Sequence, residues 1–294
     1  MSENRIKEML VDLGICEAGS IEPFYPRVRD REDVSVLRCS RSGVICLSGS
    51  AHMDISHYEE KPEFGYWTTG DRKQAVNRGI EDRNRRVELL QHIVANRAWL
   101  DVGTGAGGIL DELAPVAGRV AAVEPQQVAR ESLAQLGYEV YPDICSVETS
   151  GFEVVTLFHV FEHLMTPLDD LKELSSRMAE GGKVLIEVPH ANDFLMSFLD
   201  HEEFKAFTLW SEHLILHTRE SLARILRAAG FRDVVVSGCQ RYPLANHLHW
   251  LAKKKPGGHE KWAELRTPEL DAAYAAMLAK LDKTDTLIAT AVKA

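Results

Sequence analysis

The sequence predicts an α/β fold in which a doubly wound, mostly parallel sheet is closed by an antiparallel last strand. Short apolar runs and amphipathic helices alternate between residues 88 and 255, as such a sheet requires. The last two predicted strands, Asp233 to Ser237 and Asn246 to Lys253, are separated by about eight residues, whereas a parallel crossover needs about a dozen or more. They are therefore expected to pair in antiparallel orientation.

A glycine-rich turn, Gly103 to Gly108, follows the first predicted strand, Ala98 to Val102. Residues without a Cβ let the backbone turn sharply and approach a ligand closely. A second strand, Val120 to Val123, ends at Glu124. A carboxylate at the tip of that strand can accept hydrogen bonds from both hydroxyls of an adenosine ribose. The stretch therefore indicates one half of a nucleotide-cofactor site.

Asp101, at the end of the first strand, distinguishes between two classes of cofactor. The residues Gly103, Gly105 and Gly108 satisfy the dinucleotide pattern G-x-G-x-x-G, so NAD is a candidate. A carboxylate at Asp101 would repel a pyrophosphate but would favour the ammonium and sulfonium charges of S-adenosyl-L-methionine. The sequence therefore predicts S-adenosylmethionine as the cofactor and S-adenosylhomocysteine as its product. An NAD-dependent oxidoreductase is the alternative.

The D-x-G-x-G-x-G motif formed by Asp101, Gly103, Gly105 and Gly107 resembles that of the class I S-adenosylmethionine-dependent methyltransferases. The resemblance covers residues 88–255 and implies a Rossmann-like methyltransferase fold with a seven-stranded sheet. The segment 159–164, H-V-F-E-H-L, is similar to the H-V-L-E-H-L segment of small-molecule members, which implies that His159 lies at the cofactor cleft. These motifs are specific for the cofactor but not for the substrate.

Two further pairs of residues are candidates for the cofactor cleft. Asp143 and Ile144 follow a short third strand, Glu139 to Tyr141, where they could contact the adenine; a turn-capping role for Asp143 is the alternative. The aromatic residues Tyr66 and Trp67 could cover the cofactor or the substrate, or else pack the N-terminal segment. The predicted cofactor-binding residues are Asp101, Gly103, Thr104, Gly105, Gly107, Glu124, Pro125, Asp143, Ile144, His159, Tyr66 and Trp67.

The segment 189–218 begins at the carboxyl end of the fifth predicted strand, where doubly wound folds bind ligands, and is expected to wall the acceptor pocket. Its five aromatic residues and four histidines are typical of a small-molecule site. Ser211-Glu212-His213 resembles the H-E-H segment of sugar methyltransferases, with serine in place of the first histidine. This predicts His213 as the general base, with Glu212 as a supporting or substrate-binding carboxylate and His190 as the second choice of base. A purely structural His213 is the alternative.

The predicted function is O-methylation of a small polar acceptor of carbohydrate type or linked to a nucleotide, as in the sugar-type branch of the family. Carbon methylation of a keto sugar and O-methylation of a quinone or polyketide phenol are alternatives within the same chemistry. A non-catalytic binding subunit with a methyltransferase fold is an alternative of another class.

The composition and the pattern of apolar residues limit which partners and which cellular location are expected. A net charge of −10 argues against a nucleic-acid partner, because nucleic acid binding usually requires a basic face. The absence of an apolar run of about 18 residues and of a signal-peptide pattern predicts a cytoplasmic protein without a membrane span. The five scattered cysteines are expected to be reduced. A zinc site at Cys39, Cys46, His52 and His57 is disfavoured by the wide cysteine spacing, so no metal is predicted.

Three regions are expected along the chain. Residues 1–60 form an N-terminal segment with a β-hairpin, residues 61–255 the catalytic domain with its insertion at 189–218, and residues 256–294 a C-terminal helical extension. Helices are predicted from Gln74 to Val94 and from Pro268 to about Val292. The second carries an apolar stripe that needs a partner surface, either its own domain or a second subunit in a homodimer.

Overall fold

The computed structural model describes residues 4–53, 56–59, 69 and 71–294 of the chain, without the side chain of Ser56. Its N-terminal part contains a helix and three strands: α1 (Arg5–Asp12), β1 (Ile21–Tyr25), β2 (Val36–Cys39) and β3 (Ile45–Leu47). The predicted hairpin is present, because β2 and β3 pair in antiparallel orientation. The strand β1 extends this sheet on the outer side of β2.

The rest of the described chain alternates between helices and strands. In order these elements are α2 (Ser56–Glu59), α3 (Arg72–Arg78), α4 (Ile80–Val94), β4 (Ala98–Val102), α5 (Gly108–Leu113), β5 (Arg119–Val123), α6 (Gln127–Gln135), β6 (Glu139–Tyr141), β7 (Phe152–Phe158), α7 (Pro167–Arg177), β8 (Met178–Pro189), α8 (Glu202–Thr208), β9 (Ile215–Leu216), α9 (Arg219–Ala228), β10 (Phe231–Cys239), α10 (Leu244–Lys253), α11 (Gly258–Lys261), α12 (Pro268–Lys280) and β11 (Thr286–Lys293).

Seven of the described strands form the main sheet, in the order β10-β11-β8-β7-β4-β5-β6. The five strands from β8 to β6 are parallel, and β11 lies antiparallel between β8 and β10. The fold is the predicted doubly wound α/β sheet with an antiparallel last strand. Since the carboxyl ends of parallel strands meet at one edge of the sheet, the turns after β4, β5, β6, β7 and β8 converge there.

The antiparallel strand was assigned to the wrong segment by the sequence pattern. The predicted strand at residues 246–253 is the helix α10, which follows Pro243 and buries Ala245, Asn246, His247, His249 and Trp250. Periodicity cannot separate a short apolar run in a strand from one in a helix, which is why this prediction was wrong. The antiparallel strand of the sheet is β11 instead, which lies between β8 and β10.

The predicted C-terminal helix from Pro268 to about Val292 is also too long. Helix α12 ends at Lys280, and Asp282 adopts a left-handed backbone with φ of 56° that redirects the chain. The following residues form β11, whose threonine, isoleucine and valine residues suit a strand. On α12, Tyr274 and Leu278 are buried, whereas Leu270 and Met277 are exposed. Pairing of two subunits through this helix stays a prediction.

Two smaller features differ from the expected pattern. The predicted helix from Gln74 to Val94 is two helices, α3 and α4, with Gly79 between them. The N-terminal sheet gains a fourth strand, β9, which comes from the segment 189–218 and pairs with β3. This pairing fixes the N-terminal sheet beside the region expected to bind the acceptor. Among the helices of the described residues, none is long and apolar enough to cross a membrane.

Candidate active site

A cavity of about 1140 Å³ opens at the carboxyl edge of the parallel strands. Each of these strands is followed by a cavity-lining residue: Gly103, Glu124, Asp143, His159 and His190. One small ligand typically needs a pocket of about 300–1,000 Å³, so this cavity has room for a nucleoside cofactor and an acceptor together. The glycine turn lies at one end, and residues of the segment 189–218 and of α10 form the other.

The glycine turn has the conformation that its sequence predicts. Gly103, Gly105 and Gly107 have φ values of 72°, 60° and 75°, which side chains with a Cβ rarely adopt. A Cβ on Gly103 would lie 2.2 Å from Val160 Cγ2, and one on Gly107 would lie 2.4 Å from Leu133 Cδ2. Gly103, Thr104 and Gly105 line the cavity, together with Pro125 across the turn. Gly107 instead allows the turn to pack against α6, so its contribution to cofactor binding is indirect.

Glu124 is buried beside the glycine turn and lines the cavity. Its Oε2 accepts a hydrogen bond from Gly105 N at 2.6 Å, and its Oε1 accepts one from Gln126 N at 2.8 Å. Burial raises the pKa of Glu124 to about 7. Each carboxylate oxygen has a second lone pair, so the group can still accept from two ribose hydroxyls. This donor and acceptor set fits the nucleoside part of S-adenosylmethionine.

Asp101 lies behind the turn and is not among the described residues that line the cavity. It is buried, and its Oδ1 accepts from Thr156 Oγ1 at 2.6 Å, while Thr156 Oγ1 accepts from Trp99 Nε1 at 2.8 Å. Burial raises the pKa of Asp101 to about 6. Asp101 is therefore not placed to contact the ammonium group of the methionine directly. The hydrogen bond from Thr156 to Asp101 joins β7 to β4, and an effect of the Asp101 charge on a cationic ligand stays a prediction.

The third strand ends at the part of the cavity where the adenine was expected. Asp143 and Ile144 both line it. Asp143 Oδ1 also accepts from Ser146 N at 2.8 Å, so the turn-capping role holds at the same time. Contact between Asp143 and the adenine stays a prediction. Tyr66 and Trp67 lie outside the described residues.

His159 and Glu162 occupy the turn after β7. His159 has a φ of 55° and lines the cavity. Its Nδ1 lies 3.1 Å from Glu162 Oε1, and its Nε2 lies 2.9 Å from Arg241 Nη1 and 3.3 Å from Glu187 Oε1. Glu162 is fully buried. Burial lowers the pKa of His159, but hydrogen bonds to Glu162 and Glu187 raise it, and the net pKa lies above the ordinary histidine value.

His213 and Glu212 are adjacent in sequence, but their side chains lie in different surroundings. His213 lines the cavity and packs edge-on against His163 and Trp210, with ring centroids 5.1 and 5.4 Å away. Burial, followed by the nearby His163, lowers the pKa of His213 to about 3, so the ring is neutral at neutral pH. Glu212 is buried, and its Oε1 lies 2.8 Å from His57 Nε2. Glu212 therefore contacts the N-terminal part of the chain and does not hold the His213 tautomer as expected.

His190, the second candidate base, is also buried and lines the cavity. Its Nδ1 donates to the carbonyl oxygen of Thr284 at 3.0 Å, which leaves Nε2 as the acceptor. Burial lowers the pKa of His190 to about 4. Both candidate bases are thus neutral at physiological pH but weaker proton acceptors than an ordinary histidine.

Sequence reasoning missed several charged residues that line the cavity. Asp82 of α4 pairs with Arg241, whose Nε lies 3.0 Å from Asp82 Oδ1, and the amides of Arg241 and Tyr242 donate to Asp285. Asp193, which belongs to the segment 189–218 expected from the sequence to wall the acceptor pocket, also lines the cavity, and burial raises its pKa to about 8. No motif marks these residues, because α4, β11 and the loop after β10 meet only in the folded chain.

The cysteines and histidines of the disfavoured zinc site do not converge. Cys39 and Cys46 are buried in the N-terminal sheet, where Ser20 Oγ lies 3.1 Å from Cys39 Sγ. His52 Nε2 lies 2.9 Å from the carbonyl oxygen of Ser211. His57, as described above, contacts Glu212. The two histidines therefore extend to the segment 189–218 and away from the cysteines.

Comparison with known proteins agrees with this geometry. A family model described as a methyltransferase domain matches residues 75–236. The chain is 30% identical over 164 residues to a ubiquinone biosynthesis O-methyltransferase of Aeromonas salmonicida, an alignment that covers 51% of this chain and 68% of the relative. It is 27% identical over 183 residues to the protein of the same name from Idiomarina loihiensis, which covers 53% of this chain and 74% of the relative.

Solved structures share the fold. A methyltransferase of Archaeoglobus fulgidus that depends on S-adenosylmethionine has a TM-score of 0.50 and 20% identity, over 76% of this chain and 95% of the other. A putative methyltransferase of Haloferax volcanii, solved in complex with the Trm112 activator, has a TM-score of 0.52 and 16% identity, over 78% and 97% of the two chains. With the family match, the glycine turn and Glu124, these findings identify the chain as a member of the methyltransferase domain family, a class I S-adenosylmethionine-dependent methyltransferase.

Proposed function

We propose that this methyltransferase transfers a methyl group to a hydroxyl oxygen of a small aromatic acceptor. The observation that carries the proposal is the composition of the acceptor end of the cavity. Aromatic side chains line it beside three histidines: Phe204, Phe207, Trp210, Trp250, His163, His190 and His213. Aromatic walls favour a flat ring, which can stack or pack edge-on against them. The names of the ubiquinone O-methyltransferase relatives support a phenol-type acceptor.

A hydroxylated sugar is the second candidate acceptor, and it is the one that the sequence favours. Polar side chains on the same part of the wall, Asn246 and His247 of α10 with Asp193, could hydrogen-bond to sugar hydroxyls. The names of the relatives do not support this acceptor. An aromatic wall also stacks on sugar rings, so the two candidates must be separated by experiment.

In the proposed mechanism, the chain mainly aligns two ligands. The glycine turn, Glu124 and Asp143 would hold the nucleoside, and the aromatic wall would direct an acceptor hydroxyl towards the centre of the cavity. S-adenosylmethionine, when bound, would supply an electrophilic methyl group for the acceptor oxygen, and the electron pair of the C–S bond would stay on sulfur. His213, or in its place His190, would receive the hydroxyl proton. Positioning contributes most of the acceleration in such an in-line displacement.

The acceptor class is tested by incubating the protein with the methyl donor and two panels of compounds. One panel contains catechols and polyhydroxybenzoates, and the other contains nucleotide sugars and keto sugars. Mass spectrometry should detect a gain of one methyl group on a phenolic compound. Methylation confined to the sugars would refute the proposed acceptor. Binding of S-adenosylhomocysteine without turnover on either panel would favour a non-catalytic binding subunit.

Cofactor binding should depend on the glycine turn and on Glu124. Gly105→Val should abolish binding of S-adenosylhomocysteine, because a branched side chain is strained at a φ of 60° and would project from a cavity-lining position. Glu124→Ala should weaken binding by roughly 1–3 kcal/mol, the loss expected for charge-assisted hydrogen bonds to ribose. Calorimetry measures both, with the exposed Glu148→Ala as the matched control. Wild-type affinity in both variants would contradict the assigned site.

The affinity for S-adenosylhomocysteine should rise with pH. Burial raises the pKa of Glu124 to about 7, and the ionised carboxylate is the better acceptor for ribose hydroxyls. Between pH 6 and 8 the ionised fraction grows from about one tenth to about nine tenths, so affinity should increase up to about tenfold. Calorimetry at the two pH values tests this. The same increase in Glu124→Gln would show that another group is responsible.

A further inference from the structure

A cluster of potential metal ligands lies on the acceptor wall of the cavity and includes His213, the proposed base. Glu162, His163 and His213 each offer one ligand atom, and these three atoms all lie within 4.8 Å of one another. His163 and His213 line the cavity, and Glu162 is fully buried beneath them. The cluster joins the turn after β7 to the segment 189–218.

Two buried atoms of this cluster have no hydrogen-bond partner among the described residues. Glu162 Oε1 accepts from His159, but Glu162 Oε2 has no partner. His213 Nδ1 likewise has none. Burying a carboxylate oxygen or an imidazole nitrogen without a hydrogen-bond partner costs free energy. Binding of a ligand at these two atoms would remove that cost. Both belong to side chains that converge on the same point.

The remaining ligand, His163, is oriented by its neighbours. Its Nδ1 lies 3.0 Å from Tyr58 Oη and 3.9 Å from Glu212 Oε2, whereas its Nε2 lies 3.9 Å from Glu162 Oε1. With Nδ1 hydrogen-bonded to Tyr58, Nε2 lies on the side of Glu162. Glu212 is held in turn by His57. Ligating histidines in metal sites are oriented in this way, by a carboxylate or hydroxyl on the far ring nitrogen.

We propose that Glu162, His163 and His213 bind a divalent transition-metal cation that holds the acceptor hydroxyl in the cavity. Two imidazoles and one carboxylate are a set that binds Fe²⁺, Mn²⁺ or Zn²⁺ and leaves coordination positions open. Ligand atoms at about 2.1 Å from one ion lie about 3–4 Å apart, so small side-chain rotations close the cluster around it. The buried carboxylates of Glu162 and Glu212 together offset the two positive charges.

The second half of this inference rests on the proposed O-methylation. The cation would bind the acceptor oxygen and lower the pKa of its hydroxyl, so that the O–H bond breaks and the proton passes to water before the methyl group takes its place. His213, as a ligand of the cation, would then not serve as the base. The first half, binding of the metal, does not depend on which acceptor is used.

The test measures metal binding and methylation separately. Protein freed of metal with EDTA and dialysed is titrated with Co²⁺, whose visible absorption reports nitrogen and oxygen ligands, and then with Zn²⁺ as a competitor. The wild-type protein should bind one equivalent. Glu162→Gln and His213→Ala should each weaken binding by about 100-fold or more, and Tyr58→Phe by about tenfold. The exposed His92→Ala is the control and should bind as the wild type does.

Binding of S-adenosylhomocysteine and a thermal melt show that each variant is folded. If Glu162→Gln does not fold, His213→Ala decides the question, because its side chain lies on the cavity wall. Absence of saturable Co²⁺ binding in the wild type, or unchanged binding in folded His213→Ala, overturns the site. Site-specific Co²⁺ binding with no methylated phenol refutes the acceptor and leaves the metal site standing. Equal methylation of a phenol with and without metal refutes the role of the cation and leaves the proposed function intact.

Discussion

His213→Ala is expected to lower the rate of methyl transfer by roughly 10²–10⁴ while the affinity for S-adenosylhomocysteine stays nearly unchanged. His213 lines the acceptor end of the cavity, and its Nδ1 is available to the acceptor or to a cation. The glycine turn and Glu124, which would hold the cofactor, belong to other elements. The loss should therefore appear in the chemical step, as measured in single turnovers with a methylated compound from the acceptor screen.

Two comparisons separate the possible roles of His213. His190→Ala should retain more activity, because His190 is the second choice; the reverse order would show that the base is His190. The exposed His92→Ala should retain wild-type activity. If turnover survives in both His213→Ala and His190→Ala, neither histidine takes part and the enzyme depends on positioning alone.

The pH profile of turnover gives a further criterion. An ordinary histidine base would produce a limb near pH 6.5, as the sequence suggests. Burial lowers the pKa of His213 to about 3 and that of His190 to about 4, so both stay unprotonated down to mildly acidic pH. We therefore expect that any change of turnover near pH 6.5 in the wild-type protein is also present in His213→Ala. A limb near pH 6.5 that is lost in His213→Ala would show that acceptor binding restores an ordinary histidine pKa.

Arg241→Met is expected to reduce the free energy of unfolding by about 3 kcal/mol, near the lower end for breaking a buried ion pair. Arg241 Nε donates to Asp82 Oδ1 at 3.0 Å, and its side chain is only 20% exposed. Without the guanidinium, Asp82 loses one of its two arginine partners, and the nearby Asp285 loses a compensating charge. A decrease of this size should lower the melting temperature by about 5–10 °C.

Calorimetry or denaturant unfolding measures this effect, and Arg232→Ala is the matched control. Arg232 pairs with Asp233 at the surface, where both side chains are more than half exposed. An exposed pair contributes at most about 1 kcal/mol. Equal stability losses in the two variants would mean that the Asp82–Arg241 pair has no special structural role.

The sequence alone predicts the framework of the cofactor half of the protein. The predicted strands at residues 98–102 and 139–141 agree with β4 and β6 to the residue. Buried parallel strands are short apolar runs between turn residues, so their signal is local. The glycine turn and Glu124 are equally local, since their conformation and spacing follow from neighbouring residues. The class of cofactor could be predicted for that reason.

Long-range pairing decided the other end of the sheet. Residues 246–253 and 286–293 both carry apolar runs, and only the space between β8 and β10 determines that the second of them becomes the strand. The same holds for β9, which joins the N-terminal sheet through contacts with a distant part of the chain. A local pattern contains no information about which partner a strand will find.

The acceptor site depended on tertiary structure most of all. The sequence identified His213, Glu212 and His190, but only the fold separates Glu212 from His213 and brings His163 and Glu162 to His213. Burial, which no motif encodes, then lowers the pKa of His213 and His190. The sequence by itself therefore determined the cofactor-binding framework, because its signals are local. The tertiary structure decided the chemistry offered to the acceptor, because that chemistry depends on which distant side chains meet and how far they are removed from water.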